Sequence, residues 1–369
     1  MSISVDIKKK FPEFTLEVAF DAGEETLGFL GASGCGKSLT LRCIAGLETP
    51  DEGRIVVNGK TFFSSGEHIN LKARERKTAL LFQNYMLFPN LTVADNIAAA
   101  LPRSTSNAEK HAIVKEQLQR FHLEGYGRRY PSHLSGGQQQ RIAIARMLVA
   151  NPEILMLDEP FSALDSHLKG ALEQDMLDLF DTFDGTILYV SHDIDEAFRF
   201  CDRIAVVDNG HIQQTDKTPL IVSAPRTLAT LRISGVKNIS PVRKVGTHTV
   251  KALAWGIELD CGREVPNDVS YMGVRASYLS FTEPTADKPQ DGPHNITQGA
   301  ATPCHCGNDF TFHVHRVSDS RFERVVMLDT PGDERIEWKV DMLMVPPDKL
   351  PVNGQEVKVH IPADKIYLV

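Results

Sequence analysis

The chain has 369 residues, a net charge of −8, 42% hydrophobic residues and 24% charged residues. That length suits about two to three domains with a sizeable core, and the acidic balance argues against a surface devoted to DNA or RNA. No apolar run approaches the roughly 18–20 residues of a membrane span. The opening residues, Met1-Ser2-Ile3-Ser4-Val5, read as a strand and not as a charged-then-apolar signal segment. A cytosolic chain is therefore expected, meeting a membrane only through a partner.

Thr26-Leu27-Gly28-Phe29-Leu30 reads as a buried strand that enters Gly31-Ala32-Ser33-Gly34-Cys35-Gly36-Lys37-Ser38. This octet fits G-x-x-x-x-G-K-[ST], whose glycines let backbone N–H groups converge on phosphates without Cβ interference. Lys37 would reach the β- and γ-phosphates, and the Ser38 hydroxyl would hold Mg²⁺. Residues 39–45 continue as a helix whose positive N-terminus faces the anion. Cys35 and Cys43 read as small packing residues. With Cys201, Cys261, Cys304 and Cys306 they form no disulfide ladder and suit a reducing compartment.

A strand over 78–82 precedes Gln83, whose carboxamide could touch Mg²⁺ or an attacking water. The stretch Asn84-Tyr85-Met86-Leu87-Phe88-Pro89 then reads either as a buried loop or as an exposed apolar patch that receives a partner's helix. Residues 107–128 are polar and helix-like. Leu134-Ser135-Gly136-Gly137-Gln138 opens a further helix, with Ser135 as N-cap and two glycines that permit close approach of an anion.

Ile154-Leu155-Met156-Leu157-Asp158-Glu159 is an apolar strand with two carboxylates at its end. Such a strand is buried on both faces of a parallel sheet, and ligands sit at its carboxyl end. Asp158 is placed to hold Mg²⁺ through water, and Glu159 to polarise the water that attacks the γ-phosphate. Ser162-Ala163-Leu164-Asp165 follows as a helix start. A strand over 186–190 leads to Ser191-His192-Asp193, where an imidazole can hydrogen-bond a γ-phosphate oxygen.

Together these residues resemble the ATPase subunit of an ATP-binding cassette (ABC) transporter, over about residues 1–235. The resemblance implies a P-loop α/β fold with a helical subdomain at about 85–150. Walker A is 31–38, the Q-loop residue Gln83, the signature 134–138, the Walker B aspartate Asp158, the catalytic glutamate Glu159, the D-loop 162–165 and the switch histidine His192. It implies a homodimer in which the signature of one copy, with Asp165, closes over ATP held by Walker A of the other. Two features depart from the family pattern. Leu39 stands where a second hydroxyl is common, and both Phe11 and Phe14 qualify to stack on adenine, with Phe11 preferred.

After residue 235 helical periodicity gives way to short β-like runs at 249–254, 269–275, 310–317, 324–328, 337–343 and 356–361. A β-barrel-like domain over 236–369 is expected. Gly273-Val274-Arg275-Ala276 resembles the TOBE-type (oligonucleotide-binding-like) regions of ABC import ATPases. A polar, Pro-rich linker spans 282–293. Cys304, Cys306, His313 and His315 could bind a borderline metal such as Zn²⁺, although a plain β-surface is the favoured reading.

The expected function is the motor of a binding-protein-dependent importer at the cytoplasmic face of the membrane. It would work with two membrane permeases and, indirectly, an extracytoplasmic solute-binding protein, and with no nucleic acid. The overall resemblance is to oxyanion (molybdate or sulfate) ATPases, guided by the texture of 58–65 and 236–240, with iron(III), sugar and polyamine as alternatives. A soluble ABC ATPase is opposed by the absence of a long coiled coil and of a second signature, and a P-loop kinase or GTPase has no use for 134–138.

Overall fold

The computed structural model describes residues 1–162, 166–282 and 308–369. They divide into two compact units, Met1–Ser223 and Ala224–Val369.

The first unit opens with β1 (Ile3–Lys10) and β2 (Thr15–Ala22), an antiparallel pair. Ile3, Val5 and Ile7 on one strand and Leu16, Val18 and Phe20 on the other are buried at every second position, as a sheet covered on one face requires. β3 (Thr26–Leu30) leads into α1 (Lys37–Ala45), followed by β4 (Glu52–Val57), β5 (Lys60–Ser64), β6 (Ile69–Asn70) and β7 (Thr78–Leu81). Three helices come next: α2 (Val93–Ala98), α3 (Asn107–Arg120) and α4 (Gly136–Leu148). β8 (Ile154–Asp158), α5 (Ser166–Thr182), β9 (Thr186–Ser191), α6 (Ile194–Phe200), β10 (Arg203–Asp208), β11 (His211–Lys217) and α7 (Thr218–Ser223) complete the unit.

One sheet runs in the order β6-β5-β4-β1-β2-β11-β10-β3-β9-β8-β7. β10, β3, β9, β8 and β7 are mutually parallel, and β3, β8 and β9 are buried along their whole length. Their continuous apolar runs are the signature of strands covered on both faces. Every functional loop therefore leaves the same edge of the sheet, because the carboxyl ends of parallel strands point one way. Leu41, Cys43 and Ile44 of α1 pack into the core with Met156, Leu188 and Val190. Burial pushes the Cys43 thiol up to about 12, which suits a packing role.

Arg76 is fully buried. Its guanidinium donates to Cys43 O (2.8 Å) and Ile44 O (2.9 Å) at the end of α1, to Leu71 O (2.9 Å) and to Asn70 Oδ1 (2.9 Å). A cation on the last carbonyls of a helix complements its dipole.

The second unit is rich in β structure. After α8 (Leu228–Ile233) come β12 (Asn238–Lys244), β13 (Thr249–Ala252), β14 (Ile257–Asp260), β15 (Tyr271–Val274), β16 (Ser280–Phe281), β17 (Asp309–Asp319), β18 (Glu323–Asp329), β19 (Ile336–Asp341), β20 (Glu356–His360) and β21 (Tyr367–Leu368). They form two five-stranded sheets, β14-β13-β12-β15-β21 and β16-β20-β17-β18-β19. Residues of both, with Trp255 between β13 and β14, share one core that includes Met272, Val314, Leu328 and Trp338.

Among the described strands, β12, β14, β16 and β21 lie outside the expected runs. β12 carries Pro241 at an exposed position, and β16 and β21 are only two residues long. The units meet between Ser223 and Ala224, twelve residues before the expected boundary at 235. The reason is α8: Leu231 is fully buried, and a Cβ on Gly273 of β15 would lie 3.2 Å from it.

Candidate functional site

The carboxyl ends of β3 and β8 and the turn after β7 surround a cleft of about 610 Å³ in the first unit. Phe11, Phe14, Ser33, Gly34, Gly36, Lys37, Ser38, Leu39, Arg42, Gln83, Asp158 and Glu159 line it. Residues from four separate places in the sequence thus meet at one edge of the sheet.

The loop between β3 and α1 needs its glycines. Gly34 and Gly36 have φ of 82° and 110°, which side chains with a Cβ disfavour. A Cβ on Gly31 would fall 2.2 Å from Val207 O. Lys37 is buried and donates from Nζ to Gly31 O (2.7 Å) and Ala32 O (2.9 Å). Its ammonium is thereby tied to the first residues of the loop. Cys35 is buried and its carbonyl accepts from Gly210 N (3.0 Å), anchoring the loop to the turn after β10. Burial raises its thiol pKa.

At the start of α1 the Ser38 hydroxyl donates to Asp158 Oδ1 at 2.6 Å. Asp158 is buried, and loss of water raises its carboxyl pKa, with the Ser38 hydrogen bond opposing. Ser38, Asp158 and Gln83 present only oxygen acceptors for a cation, the donor set that suits a hard ion such as Mg²⁺.

Glu159 follows with a left-handed backbone, φ 47°. Its N–H donates to Val190 O at 3.0 Å, and its Oε2 lies 3.3 Å from His192 Nδ1. The residues that directly follow β8 and β9 therefore present a carboxylate and an imidazole side by side.

The ABC transporter family model matches residues 15–162. The Fe(3+) ions import ATP-binding protein FbpC of Rhizobium etli is 38% identical over 284 residues, covering 75% of this chain and 78% of that one. The chain belongs to the ABC transporter family. The Sulfate/thiosulfate import ATP-binding protein CysA of Synechocystis sp. is 39% identical over 246 residues, 65% of this chain and 68% of its own. The Spermidine/putrescine import ATP-binding protein PotA of Nitrosospira multiformis is 35% identical over 292 residues, 76% of this chain and 78% of its own. A dimeric structure of the ATP-binding cassette MJ0796 bound to ADP and Pi matches with a TM-score of 0.50 and 29% identity, covering 58% of this chain and 98% of that one. As an ABC ATPase the chain binds and hydrolyses ATP.

In this ABC ATPase the residues expected to form the signature stand apart from the cleft. Ser135 caps α4 in a reciprocal box: its Oγ accepts from Gln138 N (3.4 Å), and Gln138 Oε1 accepts from Ser135 N (3.1 Å). Ser135 is exposed, with Gly136, Gly137 and Gln138 partly so, and none of the four lines the cleft. Asp165 lies outside the described residues. Ser162 is tied back to Glu159 O through both Oγ (2.9 Å) and N (3.2 Å).

Gln83 is exposed and opens a turn in which Tyr85 is buried while Met86 and Phe88 are 52% and 49% exposed. Arg146 of α4 donates to Met86 O (2.7 Å) and Tyr85 O (3.0 Å) and lies over the Phe88 ring. The apolar stretch is thus part core anchor and part exposed patch. Phe14 packs on the core beside Gly36, whereas Phe11 is 38% exposed at the cleft rim.

Arg42 was missed by sequence reasoning. It stands one helical turn after Ser38, a spacing that places both on one face of α1. His313 and His315 share an exposed face of β17, and both lie beside Asp329, at 3.4 and 3.5 Å. Cys304 and Cys306 lie outside the described residues. Among the described residues no three His, Cys, Asp or Glu side chains gather as a metal site, and no helix is long and apolar enough to cross a membrane.

Proposed function

We propose that this chain is the ATP-hydrolysing motor of a solute importer, working as a head-to-tail homodimer with two membrane permeases at the cytoplasmic face of the membrane. The observation that carries the reading is the split between the cleft, which gathers Ser33, Gly34, Gly36, Lys37, Ser38, Gln83, Asp158 and Glu159, and residues 135–138, which do not line it. One phosphate chain needs both anion-binding helix starts, so a second copy supplies the missing one. That the related cassette MJ0796 is dimeric with ADP and Pi bound supports the pairing of two copies.

In the closed dimer the loop at 31–38 and Lys37 cradle the phosphates, and Phe11 stacks on adenine. Ser38, Asp158 and Gln83 would hold Mg²⁺, which would supply neutralisation of phosphate charge. Glu159 accepts a proton from the attacking water, and His192 donates to a γ-phosphate oxygen. Catalysis is by positioning and charge stabilisation. The exposed Met86 and Phe88 beside Gln83 supply the surface through which a permease senses the site. The second unit is a TOBE-type regulatory domain.

The cargo is an inorganic ion. Relatives named for Fe(3+) and for sulfate/thiosulfate support that class, and the finer oxyanion reading rests on the sulfate relative. Glu159→Gln tests the motor: ATP should bind without turnover and trap a dimer, read by size-exclusion light scattering. A variant that hydrolyses at the wild-type rate, or stays monomeric in saturating ATP, overturns the assignment. Uptake of labelled iron(III), sulfate, molybdate and spermidine by cells lacking the chain decides the cargo; loss of spermidine uptake alone would refute an inorganic ion.

A further inference from the structure

Glu196 does not line the cleft, yet the turn that carries His192 is built on its carboxylate. Glu196 is 9% exposed. Its Oε2 accepts from Ser191 Oγ at 2.7 Å and from the Tyr189 hydroxyl at 3.1 Å, and its Oε1 lies 2.7 Å from Lys169 Nζ. The Ser191 hydroxyl, itself buried, accepts from the backbone N–H of Asp193 at 2.9 Å. Both residues that flank His192 are thus held through one hydroxyl, and that hydroxyl is aimed by Glu196.

The same carboxylate also engages α5. Lys169 comes from α5. Its ammonium also lies 3.4 Å from Asp193 Oδ2 and 5.9 Å from the centre of the Phe161 ring, two residues past Glu159. The Phe161 ring stacks on Phe200 of α6 with centroids 5.5 Å apart. α5, the segment after Glu159 and the turn before α6 therefore converge on one partly buried ion pair.

Apolar residues around the buried Glu196 carboxylate would hold these elements together at least as well as its partly buried ion pair does. Stability alone gives no reason for a carboxylate here. Direction does, because hydrogen bonds fix angle as well as distance.

We infer that Glu196, acting with Ser191 and Lys169, is a positioning residue for hydrolysis, fixing the backbone on both sides of His192 so that the imbedded turn keeps the imidazole against Glu159. The inference rests on the assignment of His192 and Glu159 to the reaction. Glu196 stands outside the cleft lining and acts through the Ser191 hydroxyl.

The test compares the full-length wild type with Glu196→Gln, Ser191→Ala, Ser191→Thr, Lys169→Met, His192→Ala and the double variant His192→Ala/Glu196→Gln. Steady-state ATPase kinetics, titration with a fluorescent ATP analogue and thermal unfolding are read on each. Ser191→Ala and Glu196→Gln should lower kcat about tenfold with nucleotide affinity within about twofold of wild type, the split expected when an interaction matters only in the transition state. Ser191→Thr, which restores the hydroxyl, should recover most of that loss. In the His192→Ala background, single-turnover rates should fall less than about twofold further on adding Glu196→Gln, because the two act as a unit. If Glu196→Gln fails to fold, Ser191→Ala decides. Folded Ser191→Ala with wild-type kcat, or full multiplication of the losses in the double variant, overturns the proposal. A His192→Ala protein as active as wild type would instead fail the underlying assignment.

Discussion

Arg76 offers a sharp test of how the phosphate loop is supported from behind. Arg76→Met keeps the length and apolar body of the side chain and removes every donor. Three backbone carbonyls, Cys43 O, Ile44 O and Leu71 O, and the Asn70 Oδ1 then lose a partner. A buried acceptor left unsatisfied costs about 1–3 kcal/mol. The last turn of α1 can relax to satisfy part of the set, so a loss of about 3–5 kcal/mol is expected. For a unit of this size each kcal/mol moves the melting temperature by about 2–4 °C, giving a drop on the order of 10 °C. Far-UV circular dichroism follows the helices of the first unit, while the two tryptophans, Trp255 and Trp338, both lie in the second and report it by fluorescence. Arg76→Lys, with fewer donors, should fall between. A circular-dichroism shift of less than about 2 °C for Arg76→Met would refute the reasoning.

Gly31→Ala should weaken ATP binding about tenfold in a fluorescent-nucleotide titration, because its Cβ meets Val207 O at 2.2 Å and Cys35 Sγ at 2.6 Å and overpacking costs about 1–3 kcal/mol. Phe11→Ala should also lose about tenfold in ATP affinity at an unchanged melting temperature, as stacking on a base is worth about 1–3 kcal/mol. Phe14→Ala should instead lower the melting temperature, since Phe14 packs on the core; the reverse result would give Phe14 the adenine. Asp158→Asn should abolish hydrolysis and yet melt higher than wild type at neutral pH without nucleotide. Burial raises the Asp158 pKa and so penalises its charged form. With the folded pKa raised, the wild type loses stability relative to the variant as pH rises through it, and the gap closes in acid.

Much of the first unit was legible because its chemistry is local. Continuous apolar runs predict β3, β8 and β9, and each motif lies directly at a strand end or helix start. The structure adds that these ends share one edge, with Ser38 on Asp158 and His192 on Glu159. Alternation also placed His313 and His315 on one face. What sequence left hidden depends on distant partners. Nothing in Ala73-Arg74-Glu75-Arg76-Lys77 marks Arg76 as buried, since its acceptors lie on α1 and in the chain before it. The Glu196–Lys169 pair joins residues whose separation carries no periodic signal. β12 was masked by Pro241, whose missing N–H makes an interior strand an unexpected place for it.

The backbone of Glu159, at φ 47°, has a consequence for attempts to engineer this protein. A left-handed conformation costs an ordinary residue about 1–2 kcal/mol, and glycine escapes most of that penalty. A directed-evolution campaign that screens only for heat resistance would therefore enrich glycine or asparagine at this position and harvest robust, inert proteins. Ruggedness and turnover pull in opposite directions at a single peptide unit, so any library here has to be selected on both at once.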